Sequence, residues 1–224
     1  MPEKDDKTKI KWLISVRILF SFLLLGSAII QQMGATAAPM DRSLVVLYGL
    51  IAAIFLLSVV YSAFIQRVKN IVLFAFIQTG IDTFFVTLIV FLTGGFVSVF
   101  SFLYLVVIIY SSMLLPMWGA MVIAALCSLQ FGALVELEYF GLLSPIGTNG
   151  NLLADVFDWR QIFFKLIITM TACFAVAFLS SLLSEQTRKT KEELRTMEGH
   201  VKRVEKMAAI GEMAAGLAHE IKNP

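Results

Sequence analysis

Charge is scarce in this sequence. Asp, Glu, Lys and Arg make up 15% of its 224 residues against 58% hydrophobic, where a soluble domain carries roughly a quarter charged. From 71 to 159 there is no Lys or Arg at all. Such a composition excludes an ordinary water-soluble domain and points to the membrane class. The formal net charge of +2 gives no ground for a nucleic-acid partner. Cysteine is also sparse. Cys127 and Cys173 both sit in apolar runs and form neither a disulfide framework nor the CxxC or Cys/His spacing of a metal site. They read as small buried residues, and no metal is assigned. Missing too is any polar stretch long enough to fold as an external sensor. The longest, about 138–160, falls far below the roughly 50 residues of a small domain. A stimulus would have to act within the membrane, at its lateral surface, or through short loops.

What is present is a series of six apolar stretches, at approximately 12–31, 43–65, 71–92, 96–115, 118–137 and 161–183. Each comes close to the roughly 20 residues that cross the hydrocarbon as a helix. Isolated runs of this length must satisfy their own backbone hydrogen bonds, so they read as helices. Thr93-Gly94-Gly95 forms a tight turn between the third and fourth, and Pro116-Met117-Trp118-Gly119 turns the fourth into the fifth. The fold class is therefore all-α: a polytopic membrane protein of about six transmembrane helices, followed by a cytoplasmic coiled-coil and dimerisation helix.

Orientation follows from the basic residues. Lys4, Lys7, Lys9 and Lys11 precede the first run, Arg67 and Lys69 join the second to the third, and Arg188, Lys189 and Lys191 follow the sixth. The other side holds Arg42, Arg160 and Lys165 against Asp41, Glu136, Glu138, Asp155 and Asp158. The positive-inside rule then places both termini in the cytoplasm, consistent with an even number of spans. Gly34-Ala35-Thr36-Ala37-Ala38-Pro39 resembles a signal-peptide cleavage site. The preceding apolar run is longer than the usual stretch of about 7–15 residues, so it reads as an uncleaved anchor.

Within the third run, Gln78 and Asp82 stand at i and i+4 on one face. An intramembrane carboxylate is costly and often functional. The pair reads either as a sensing or ion-coupling site, or as a fastening in which Gln78 hydrogen-bonds the acid. Arg17, near the start of the first run, is expected to snorkel to the cytoplasmic interface.

From Ser184 the sequence becomes EQTRKTKEELRTMEGHVKRVEKM. Leu194, Met197, Val201 and Val204 recur at the spacing of a two-stranded coiled-coil seam. A helix continuing from the sixth span and pairing with a second copy gives a parallel homodimer. Beyond Val204 the best seam moves by one residue to Met207, Ile210, Ala214, Leu217 and Ile221. Such a phase change alters local supercoiling. The stretch Val204–Ile210 is then either a converter of helix motion or a simple junction.

With Leu217 and Ile221 on that seam, His219 lies two residues from each and points to the opposite side of the helix. Asn223 shares its face at i+4, and Glu220 flanks both. HExxH would be a zinc-protease motif, but position 223 is Asn. Neutral imidazole is a good nucleophile near pH 7, and a neighbouring carboxylate can orient it and take its proton. The remaining readings are an ordinary surface histidine and a phosphate acceptor.

The stretch LAHEIKNP resembles the H-box of two-component sensor histidine kinases nearly letter for letter, and AAIGEMAAGLAHEIKNP extends the likeness along the first dimerisation helix. The resemblance implies that His219 is phosphorylated from ATP with Glu220 as acid/base, and that the phosphoryl group passes to an aspartate of a response regulator. Glu220 and Asn223 also fit the ExxN pattern, which implies a phosphatase role for Asn223. The second dimerisation helix and the ATP-binding domain of that family do not follow before Pro224. The chain thus reads as the N-terminal part of a longer kinase that binds no cofactor itself, ATP and Mg2+ belonging to the absent catalytic domain.

Six close-set spans without a sizeable external domain are similar to the PilS-type sensors of type IV pilus regulation. That likeness implies pilin or another membrane-embedded signal as stimulus and an NtrC-like regulator as partner. Another six-span sensor, for a quorum signal or the membrane state, remains the alternative within the class. The expected organisation is a cytoplasmic tail at 1–11, a membrane sensor at 12–183, a linker helix at 184–206 and a truncated phosphoacceptor domain at 207–224. The rival from another class is a small transporter or channel using Asp82 and Gln78, which leaves 184–224 unexplained.

Overall fold

The computed structural model describes residues 42–64, 70–143 and 157–222, together with Arg17, Ile18, Phe22, Leu25, Gly26 and Ile29. For 42–44, 64, 71, 212 and 214–222 it describes the backbone alone. Five α-helices follow one another: α1 Arg42–Phe64, α2 Ile71–Leu92, α3 Leu103–Leu114, α4 Met117–Tyr139 and α5 Trp159–Lys222. Two short 3-10 turns, Gly95–Val97 and Val99–Phe102, lie between α2 and α3. No strand occurs among the described residues. The six isolated residues of the first run are all helical.

Helix boundaries have local causes. At the start of α2, Asn70 is extended and its side-chain oxygen accepts from the Leu73 N–H at 3.3 Å, the usual satisfaction of an orphan donor. At its end, Gly94 and Gly95 take positive φ of 119° and 57°, which glycine adopts without a Cβ clash. Leu115 is extended and Pro116 caps α4, so the reversal between α3 and α4 is tighter than the sequence suggests. Trp118 and Gly119 already belong to the helix.

Helix α2 packs against α1, α3 and α4, and α3 against α4. The buried side of this assembly is mainly apolar, with Ile89, Val90, Tyr104, Ile123 and Phe131 in its core, but Ser58, Thr79, Thr83, Ser111 and Ser112 are buried with them, while Leu56, Leu73, Phe84 and Leu129 are exposed. Exposed apolar residues of this kind are what a lipid solvent allows, since apolar surface has nothing to gain by leaving hydrocarbon. The buried hydroxyls return to their own helices, Ser58 to Ile54 O at 2.8 Å and Thr79 to Ala75 O at 2.7 Å. Gly119 lets α4 approach closely. A Cβ there would come within 2.8 Å of Leu115 Cβ and 3.1 Å of Phe76 Cε2.

Four described helices are long and apolar enough to cross a membrane. The fourth run departs from expectation. Its first third is 3-10 backbone, and the α-helical part is 12 residues, about 18 Å by helical rise. Irregular backbone at membrane depth survives only where protein satisfies it. Here Ser98 Oγ meets Thr93 Oγ1 at 2.6 Å and accepts from the Phe100 N–H at 3.2 Å. The sixth run lies within α5, which continues through the charged segment as one 64-residue helix. The chain divides into two compact units, Met1–Ser181 and Leu182–Pro224.

Candidate functional site

Asp82 projects from the middle of α2 into the buried side and finds opposite charge there. Arg17 Nη2 pairs with Asp82 Oδ1, and the Tyr110 hydroxyl donates to Asp82 Oδ2 at 2.7 Å. The Arg17 guanidinium also lies 5.1 Å from the centre of the Tyr61 ring, within cation–π range. Two expectations are corrected. Arg17 does not reach outward but is buried on Asp82, because an ion pair compensates charge where water cannot. Nor does Gln78 hold the acid. Its amide is buried and Nε2 has no hydrogen-bond partner among the described residues, since Arg17 and Tyr110 engage the carboxylate.

Sequence reading thus found the acid but missed Arg17, Tyr61 and Tyr110 as its company. The balance of charge held the clue: Arg17 and Asp82 are single opposite charges in two apolar runs. The tyrosines carried no comparable signal.

A second, neutral chain lies further along α2. Tyr104 Oη donates to Thr87 Oγ1 at 2.8 Å, and Thr87 reaches Gln130 Oε1 at 3.0 Å. This joins α2, α3 and α4 without any net charge.

A third polar group surrounds the backbone N–H and carbonyl of Phe96, in the turn after α2. Glu138, near the end of α4, accepts the Phe96 N–H at 2.9 Å. Lys165, on α5, donates to the Phe96 carbonyl oxygen, and its ammonium lies 4.4 Å from the centre of the Phe96 ring. Phe157 meets the same ring edge-on at 5.0 Å. Both charged residues looked from the sequence like loop-side charges, yet Glu138 is buried.

The predicted phosphoacceptor lies elsewhere. His219 and Glu220 are within helix α5, but their side chains lie outside the described residues, as does Asn223 entirely. The preceding seam positions are exposed: Leu194, Met197, Val201, Val204, Met207 and Ile210. Of the later ones, Ala214, Leu217 and Ile221 are described by backbone alone. The described residues contain no group of three or more His, Cys, Asp or Glu able to hold a metal.

Against known proteins, a family model described as a PilS-like transmembrane domain matches residues 2–194. No curated protein and no solved structure matches the chain. The matched range contains Arg17, Asp82, the Phe96 turn and Lys165, and it ends before the histidine motif. An all-helical membrane protein with charged and polar groups buried in an apolar core, a broken fourth segment and a long final helix, the chain belongs to the family of PilS-like transmembrane domains.

Proposed function

We propose that the chain is the sensing and phosphate-accepting part of a two-component histidine kinase, held in a bacterial inner membrane with both termini cytoplasmic. The observation that carries this reading is LAHEIKNP at 217–224, placed after a PilS-like membrane domain on the helix that contains its last span. The exposed apolar row from Leu194 to Ile210 supports pairing with a second copy, which would bring two such helices together.

In the proposed reaction a ring nitrogen of His219 attacks the γ-phosphorus of ATP. An N–P bond forms, the bond to the β-phosphate oxygen breaks, ADP leaves, and Glu220 takes the ring proton. The phosphoryl group then passes to an aspartate of a response regulator of the NtrC-like kind. Asn223 would position water for the reverse, phosphatase output. Phosphoryl transfer depends chiefly on positioning and neutralisation of charge. ATP and Mg2+ are assigned to a separate ATP-binding domain, as the resemblance to sensor histidine kinases implies. Pilin or another membrane-embedded signal is the proposed stimulus, received at Gln78 and Asp82. A transport role for Asp82 is disfavoured, because Arg17 and Tyr110 already occupy the carboxylate.

The test is phosphorylation of the full chain in lipid nanodiscs, with Mg-ATP and a histidine-kinase ATP-binding domain supplied separately. Acid-labile, base-stable phosphate should appear on the wild type and vanish in His219→Gln. Equal incorporation in the two proteins, or none in the wild type, would refute the assignment.

A further inference from the structure

We propose that the Phe96 backbone, through its own N–H and C=O, is a joint that holds the output helix α5 in one of two positions. Glu138 of α4 grips its N–H and Lys165 of α5 grips its carbonyl. The inference rests on the kinase reading only for its consequence at His219, which lies on the same helix as Lys165.

The geometry singles out this residue. In the 3-10 turn, the Val97 and Ser98 N–H groups bond back to the Gly94 and Gly95 carbonyls at 3.1 Å each, whereas the Phe96 N–H is given to a carboxylate from another helix. Gly95 makes the approach possible. A Cβ at that position would sit 2.7 Å from Glu138 Cδ and 2.8 Å from its Oε1, and the residue takes the left-handed φ of 57°. Lysine is also a costly choice here, since Lys165 and Arg160 are the basic residues between 71 and 183. A neutral donor would satisfy a carbonyl equally well. A lysine adds charge that lies over the Phe96 ring and faces Glu138 across the Phe96 backbone.

That arrangement closes or opens as a whole. Withdrawing Lys165 leaves a buried carbonyl unpaired and a buried carboxylate uncompensated together, and half-satisfied buried networks are disfavoured. Two discrete arrangements of one element are what coupling between distant sites requires. The joint therefore ties the turn after α2 and the end of α4 to the helix bearing His219.

The experiment combines hydrogen exchange with His219 phosphorylation, on the full chain in nanodiscs. Lys165→Met keeps the aliphatic stem and removes the charge. It should speed exchange in 94–99 about tenfold and change phosphate incorporation by about fivefold or more. Lys165→Arg should restore both towards wild type. Thr87→Val, which cuts the neutral Tyr104–Thr87–Gln130 chain, should alter neither. Unchanged exchange in 94–99 would overturn the joint. So would faster exchange with unchanged phosphorylation, or a Thr87→Val effect as large as that of Lys165→Met. A wild-type chain that accepts no phosphate refutes the kinase reading alone. The joint is then decided by exchange in 182–200, which Lys165→Met should also raise, and an unchanged rate there sinks it.

Discussion

Asp82 shows how one carboxylate can be kept inside a membrane protein. Arg17 supplies the opposite charge and Tyr110 a hydrogen bond, so neither the acid nor the base is left alone in a medium without water. Removing one partner of a buried pair is costly, about 3–5 kcal/mol, while replacing both by apolar residues is often neutral. Asp82→Ala should therefore destabilise the membrane unit by about that much. Adding Arg17→Leu to Asp82→Leu should recover most of the loss relative to Asp82→Leu alone. Reversible unfolding in mixed detergent micelles, followed by circular dichroism, measures the cycle. Strict additivity of the two single losses would contradict the pairing. The acid was legible in the sequence because a charge in an apolar run stands out. Its partner was not, since 64 intervening residues (18–81) hide which helices meet.

At the scale of elements, α5 joins two chemistries in one helix. Its early part is a span whose apolar residues, such as Phe163, Ile167 and Leu179, are exposed in the way lipid contact permits. Its later part carries charge, with surface pairs such as Glu185–Arg188 at 2.7 Å that contribute only a few tenths of a kcal/mol. In the proposed dimer, stability there comes from packing of the seam. Single cysteines at 197, 201, 204, 207 and 210, in a chain first freed of Cys127 and Cys173, should cross-link between copies far faster than at 199 or 203. The phase change makes 207 and 210 favoured over 208 and 211. Cross-linking independent of position would refute a coiled coil, and preference for 208 and 211 would refute the change of phase. Seam periodicity is a local property and can be read along the chain. The break between Gly95 and Phe102 could not be, because its apolar residues look like any other span. What breaks the helix is two glycines at positive φ and the side chains of Ser98, Glu138 and Lys165, which take over backbone bonds.

For the whole molecule, the end of α2, the end of α4 and the start of α5 come together around Phe96. In the proposed orientation this cluster lies at the external ends of the spans, and the basic segments lie at the cytoplasmic ends. Phosphatase reporter fusions after residue 11 and after Lys191 should be inactive, and one placed within 145–155 active. The reverse pattern would overturn the orientation. Such a test matters to the joint as well, since it determines which side of the membrane can reach Phe96.

By itself the sequence determined the class of molecule, the number of apolar spans, the continuation of the last one into a charged helix, and the histidine that helix carries. These depend on length, periodicity and motif, which are local and additive along the chain. The tertiary structure decided where the rare charges go: Arg17 inward onto Asp82, and Glu138 and Lys165 onto the backbone N–H and carbonyl of one residue. In a low-dielectric interior a polar group must find a partner, and the partner is chosen by whichever distant segment packing brings within reach.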